Sequence, residues 1–197
     1  MAYEKYKVNI PEGQSGPWSI EKFTVSKSDA EFDRIRAMVS GRYVPEGTYT
    51  KLSRGRCVIM SDTPDEIRDH IGPIYEAEHA GGNVLINGLG LGMVTSAILK
   101  FEKVDKVTVV EKSEDVISLV APHIAHPKLE VVNADAFEYK PPKGIRYSVV
   151  WHDIWDNLCA DNLPEMSKLH RKYGRRCDWQ GSWGKEYIKR QMRVRGW

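Results

Sequence analysis

The rhythm of apolar and polar positions changes at about Gly81. Beyond it, "NVLIN", "KVTVV", "LEVVN" and "YSVVWH" are short apolar runs rich in β-branched residues, which read as strands. Between them lie "GMVTSAILKFE", with Val94, Ala97, Ile98 and Phe101 at i, i+3, i+4 and i+7, and "SEDVISLVAPHI". Apolar strands alternating with amphipathic helices predict βαβ units with right-handed crossovers. The expected class is α/β, a Rossmann-like and mostly parallel sheet. Ligands of such sheets bind beyond the carboxyl ends of the strands.

The pattern upstream is weaker. Residues 1–62 are turn-rich and read as irregular, except for a hairpin built from "TYTKLS" and "RCVIMS" around Arg54 and Gly55. Phe32, Ile35, Ala37 and Met38 recur at helical spacing behind Ser28 as a candidate cap. Thr63, Pro64 and Glu66 suit a capping box with proline in the first turn. Ile67, Ile71, Ile74, Tyr75 and Glu78 then form one stripe, which Gly72 and Pro73 are expected to break into two short helices. After Asn157, Leu163, Met166, Leu169 and Tyr173 mark a helix ending at Gly174, and "SWGKEYIKRQM" a final basic helix. The expected organisation is one compact domain: an N-terminal segment over 1–62, a cofactor-binding core over 63–157 and a basic helical extension over 158–197.

Composition narrows the classes. A chain of 197 residues, 41% hydrophobic, can bury one sizeable core. No apolar run approaches the roughly 18 residues that span a bilayer, and "MAYEKYKVNI" lacks a signal-peptide core. Cys57, Cys159 and Cys177 form no CxxC motif, which fits inert thiols in a reducing, cytoplasmic setting. The formal charge of +2 conceals an asymmetry: residues 168–197 hold ten Lys and Arg against Asp178 and Glu186, so the rest is net acidic. Such a tail fits nucleic acid, an acidic partner, self-docking or simply a solvated helix face.

The candidate chemistry gathers at the strand ends. "NGLGLGM" places Gly88, Gly90 and Gly92 before a helix, where glycines permit a tight turn and close approach of a ligand to backbone. A P-loop requires GK[ST], which is lacking, and a dinucleotide GxGxxG loop would need glycine where Met93 stands. The spacing GxGxG remains, with Leu89 inside it. Glu111, twenty-three positions past Gly88 at the end of the second strand and followed by Lys112, is placed to accept the two hydroxyls of a ribose. Asp135 and Ala136, after the third strand, lie where an adenine would sit. The fourth strand closes on "VVWHDIWDN", with Asp153 and Asp156. Each acid alone has a bland use as a helix or turn cap; four strand ends together agree with one ligand.

The glycine spacing resembles the cofactor loop of class I S-adenosylmethionine-dependent methyltransferases, and residues 48–156 resemble the spermidine synthase branch of that superfamily. The resemblance rests on the hairpin and helix ahead of the sheet, on Ile86 two positions before Gly88, and on the D-x-x-D pair Asp153 and Asp156. It implies S-adenosylmethionine or its decarboxylated form as cofactor, with Asp153 as the base that deprotonates the acceptor and Asp156 supporting it. Departures are equally specific. Leu91 stands where spermidine synthases carry an acid before the third loop glycine, the diamine-holding residues have no clear match, and strands five to seven are not legible. The far wall of the pocket then falls to the N-terminal segment, the tail or a second subunit.

Other candidates have plainer uses. His123 and His126 form an HxxH pair without a third ligand, so no metal site is expected. His152 is expected on the sheet face opposite Asp153. Trp151, Trp155, Trp179 and Trp183 suit either packing or stacking on a base. The expected function is methyl transfer from S-adenosylmethionine to a small-molecule acceptor. Aminopropyl transfer to a polyamine is the alternative enzyme, and a non-catalytic nucleic-acid or partner-binding module is the alternative of another class.

Overall fold

The computed structural model describes residues 3–40 and 42–195. The N-terminal strands β1 (Gly13–Ser15), β2 (Trp18–Val25), β3 (Gly47–Arg54) and β4 (Cys57–Ser61) form an antiparallel sheet in that order. The segment expected to be irregular is therefore a four-stranded meander. Its β1 and β2 escape pattern reading because "GQS" is too short and "WSIEKFTV" buries only Ile20 fully. The β3–β4 hairpin turns at Gly55 and Arg56, with Arg54 opposite Cys57 and Gly55 at φ 58°.

Between β2 and β3, helix α1 (Lys27–Ser40) is capped by Ser26, whose Oγ accepts from Asp29 N at 3.2 Å; the expected cap at Ser28 is not used. Its apolar stripe does not enter the core: Phe32 and Ile35 are 71% and 67% exposed, while Ala30 is buried. The side chain of Met38 lies outside the described residues. Helices α2 (Pro64–Asp69) and α3 (Ile71–Ala80) part at His70, not at Gly72 and Pro73, which form the first turn of α3. Thr63 makes no side-chain cap bond. Glu66 instead accepts from Ser61 N at 2.9 Å and from Ser61 Oγ at 2.7 Å, tying the helix to β4.

The second sheet has five parallel strands in the order β7-β6-β5-β8-β9: β5 (Gly82–Asn87), β6 (Val104–Glu111), β7 (Leu129–Asn133), β8 (Tyr147–His152) and β9 (Cys177–Ser182). It is an α/β Rossmann-like sheet with helices on both faces. The expected loss of every strand beyond the fourth is corrected, since β9 lies in the segment read as purely helical. "CDWQGS" lacks the apolar run of its neighbours because it is a sheet edge. Gly181 is there because a Cβ would meet the Trp151 and Trp179 rings at 2.8 and 2.7 Å.

Val84, Ile86, Val107, Val109, Val149 and Trp151 face one core, shared with α3, α4 (Met93–Ile98) and the N-terminal sheet. Leu85, Val110, Tyr147 and Val150 face a second, covered by Leu169 and Tyr173 of α6 (Asn162–Tyr173). Between β6 and β7, α5 (Glu114–Val120) is capped by Ser113, which accepts from Val116 N at 3.3 Å. The chain closes with α7 (Lys185–Arg195). No helix among the described residues is long and apolar enough to cross a membrane.

Candidate functional site

A cavity of about 420 Å³ opens at the carboxyl ends of β5, β6, β7 and β8. Of the residues singled out in the sequence, Gly88, Gly90, Glu111, Lys112, Asp135, Ala136, Asp153 and Asp156 line it. Leu89, Leu91 and Gly92 do not. Leu89 and Leu91 are buried in the first core, and Gly92, at φ 68°, begins α4, where a Cβ would meet Ile124 and Val120 at 3.0 and 3.1 Å. The loop thus alternates: its first two glycines face the cavity while its leucines anchor it below.

The loop is held from both sides. A Cβ at Gly88 would collide with the carbonyl oxygen of Asp153, so only glycine lets β5 and β8 close here. Met60 of β4 packs on Gly90, and its sulfur accepts from Leu91 N at 3.3 Å. Glu111 accepts from Leu89 N at 2.9 Å through Oε2 and from Ser113 N at 2.8 Å through Oε1. Two N–H groups fix the carboxylate, and each oxygen keeps a lone pair for a further donor. Asp135 is fixed likewise: Oδ1 accepts from Phe137 N at 2.7 Å. The Ala136 carbonyl is taken by Lys172 Nζ at 2.9 Å, and Lys112 is exposed at the rim.

Asp153 and Asp156 each meet a cation, and neither is buried. Asp153, with 19% of its side chain exposed, accepts through Oδ2 from His70 Nε2 at 2.7 Å. The other ring nitrogen of His70 meets the Glu66 carbonyl oxygen at 2.7 Å. Both partners are acceptors only, so both ring nitrogens donate and the ring is an imidazolium. Burial, with 1% exposure, would lower the His70 pKa; the Asp153 charge and hydrogen bond, then the Glu66 carbonyl and charge, override it and raise it to about 9. Glu66 is pushed up by burial, opposed by its bonds to Ser61. Asp156 pairs with Arg54, whose guanidinium sits 5.5 Å over the ring of Trp18, its register partner across β2–β3.

His70, Glu66, Arg54, Trp18 and Met60 escape sequence reasoning. Glu66 on α2 and His70 at its C-cap are four residues apart, a spacing that brings two polar groups together and is the available signal. Arg54 and Trp18 reach the cavity only through strand pairing, which leaves no local mark. The N-terminal sheet and, through Glu165 and Trp183, the C-terminal segment line the far wall. Trp155 lines the cavity too, its indole N–H donating to Glu165 at 2.8 Å, whereas Trp151 and Trp179 stack on each other at 6.4 Å away from it.

His152 is fully buried and turned from the cavity into a polar cluster. Nδ1 meets Asn87 Nδ2 at 2.8 Å, and the ring lies 5.3 Å from that of His170 and 5.5 Å from that of Tyr173. Burial, then the neighbouring His170, lowers its pKa to about 3, so it is neutral. His126 Nδ1 accepts from Lys128 N at 3.1 Å in a surface turn. Among the described residues, no three His, Cys, Asp or Glu gather as metal ligands, and the three cysteines are free thiols.

No family model matches the sequence, and neither does any curated protein. Solved structures are similar at low identity. The CcbJ methyltransferase of Streptomyces caelestis is 23% identical over 56% of this chain and 44% of its own, with a TM-score of 0.44. The 23S rRNA methyltransferase ErmE is 19% identical over 56% and 43%, at 0.41. The plantazolicin methyltransferase BpumL, solved in complex with SAH, is 15% identical over 56% and 41%, at 0.41. The chain thus spans less than half the length of each of these three.

Proposed function

We propose that this protein is an S-adenosylmethionine-dependent methyltransferase whose acceptor is a small amine. One observation carries the reading: the glycine loop, Glu111, Asp135 and Asp153, from four different strand ends, line one cavity. The donor set fits the cofactor. Glu111 has open lone pairs for a ribose diol, Asp135 has Oδ2 for an adenine amine, and Gly88 and Gly90 bring backbone to the cavity wall.

When bound, S-adenosylmethionine supplies an electrophilic methyl group on a sulfonium that is already a good leaving group. The chain's part is then orientation and proton removal. His70 holds Asp153 by Oδ2. Oδ1 has no hydrogen-bond partner among the described residues, so it receives the N–H of the acceptor and then its proton. Asp156 and Arg54, with Trp18, Trp155 and Trp183, wall the acceptor's end. Six carboxylates line the cavity, at Glu66, Glu111, Asp135, Asp153, Asp156 and Glu165, against the cations His70, Arg54 and Lys112. That excess favours a cationic cofactor and a basic acceptor. Leu91, buried in the core, adds no carboxylate at the position where aminopropyl transfer would use one, which favours methyl transfer.

The test is calorimetry of S-adenosylmethionine with the wild type and with Glu111→Ala. Two hydrogen bonds to a charged group, each worth about 1.5–3 kcal/mol, predict at least a tenfold loss in the variant with the fold kept. Unchanged affinity would remove the cofactor assignment. Chromatography of reactions with candidate amines should show S-adenosylhomocysteine. Methylthioadenosine formed only from decarboxylated cofactor and a diamine would establish aminopropyl transfer instead.

A further inference from the structure

The basic C-terminal segment folds into a surface that the cavity does not use. On α6, Lys168 and Arg171 are exposed along the side away from buried Met166, Leu169 and Tyr173, and Arg175 is exposed in the turn that follows the helix. On α7, Arg190 and Arg193 are exposed opposite buried Ile188. Lys185 Nζ, at the start of α7, lies 3.1 Å from His170 Nδ1 of α6, which brings the two helices together at that point. Among the described residues, Arg171, Arg175, Arg190 and Arg193 form no ion pair. On a solvated face kept for solubility, i to i+4 acid–base pairing is the common pattern; here only Lys189 with Glu186 and Arg146 with Asp178 are paired nearby.

Half-buried cations lie between the exposed arginines. Lys172 and Lys185 are held below the ordinary lysine range by burial; Glu138 and Asp135 oppose this at Lys172 while Lys168 adds to it, and Lys189 adds to it at Lys185 while Glu186 opposes. His170 is lowered to about 4 by burial and then by Lys185 and Lys189. A polyanion laid across the helices would relieve that repulsion. Two details favour phosphodiester over carboxylate as the anion. Tyr187, 56% exposed, stands three positions before Arg190 on α7, and its aromatic face suits an unpaired base. At the other end Lys168 Nζ lies 5.0 Å over the ring of Phe137, which lines the cavity, so the basic path ends at an aromatic rim.

We infer that the exposed cations of α6, of the turn after it and of α7 bind the backbone of a single-stranded nucleic acid, with Arg171, Arg175, Arg190 and Arg193 on its phosphates. Arg171, in the last turn of α6, and Arg175, in the turn after it, are four positions apart, and planar guanidinium groups take phosphate oxygens in pairs. The inference does not rest on methyl transfer, because the surface would bind whatever the cavity does.

The experiment is fluorescence anisotropy of the full chain with labelled 20-nucleotide single-stranded RNA and DNA, titrated with salt. Four phosphate contacts predict a log–log slope near −3, at about 0.7 per contact for single strands. Arg171→Glu, Arg175→Glu, Arg190→Glu and Arg193→Glu combined should weaken binding at least a hundredfold. Charge reversal of Lys22, Lys27, Arg34 and Lys103, exposed elsewhere, gives the same net charge and should change it less than threefold. Circular dichroism confirms that both variants fold. Equal affinity for RNA and DNA supports pure backbone recognition, and tighter RNA binding adds a 2′-hydroxyl contact. The inference is overturned by no binding at low salt, by equal loss in the two variants, or by polyglutamate competing as well as RNA, which would make the partner an acidic protein.

Discussion

Replacing His70 by Gln tests the centre of the cavity, because it removes a buried cation while leaving an amide that can still donate to Asp153. At about 1.4 kcal/mol per tenfold change in proton affinity, the rise of the His70 pKa from 6.5 to about 9 corresponds to roughly 3 kcal/mol of stability. The sign follows from linkage: a group whose folded pKa is raised stabilises most below its unfolded value and loses that contribution as pH climbs through the folded one. The wild type should therefore exceed His70→Gln by its largest margin below pH 6.5. The margin should shrink by about 3 kcal/mol as pH passes 9. Other titrating groups are common to both proteins and cancel in the difference. Urea unfolding at matched pH values between 6 and 10 measures it, with the slope against denaturant checked for constancy. For a chain of this size the same margin is about 6–12 °C in melting temperature. A difference that stays constant across that range would mean that His70 is neutral in the fold, and the ionic tie to Asp153 would be wrong.

Asp153→Asn keeps the shape of the side chain and one acceptor oxygen for His70 but not its basicity, so turnover should fall by about 10²–10⁴ with cofactor affinity largely retained; a parallel loss of both in calorimetry and kinetics would make Asp153 a cofactor residue. Gly88→Ala drives a Cβ into the Asp153 carbonyl at φ 101° and should cost roughly 3 kcal/mol or more, whereas Gly144→Ala, at φ 80° with nothing within 4 Å, should cost about 1. Equal losses in urea unfolding would show that backbone conformation alone, not the close approach of β5 and β8, requires glycine at the loop.

The sequence by itself determined the parallel sheet and the edge at which its cavity opens. Strands buried on both faces must be apolar throughout, so β5, β6 and β8 read plainly, and the chemistry of a parallel sheet lies where its strands end. Glu111, Asp135 and Asp153 are accordingly read at the strand ends from position alone, and all three line the cavity. Periodicity did not find β9, because an edge strand filled by Trp179 and Gly181 has no apolar alternation to detect. Nor did it correctly place Phe32 and Ile35, whose helical spacing describes a face without saying what covers it. The tertiary structure alone decided what surrounds Asp153. His70 reaches it from 83 positions away, and Arg54 reaches Asp156 from 102. Hydrophobic pattern is written in neighbouring residues because it follows the local repeat of helix and strand. Ion pairs across the chain leave no such trace, since their partners are chosen only when the N-terminal sheet closes over the glycine loop.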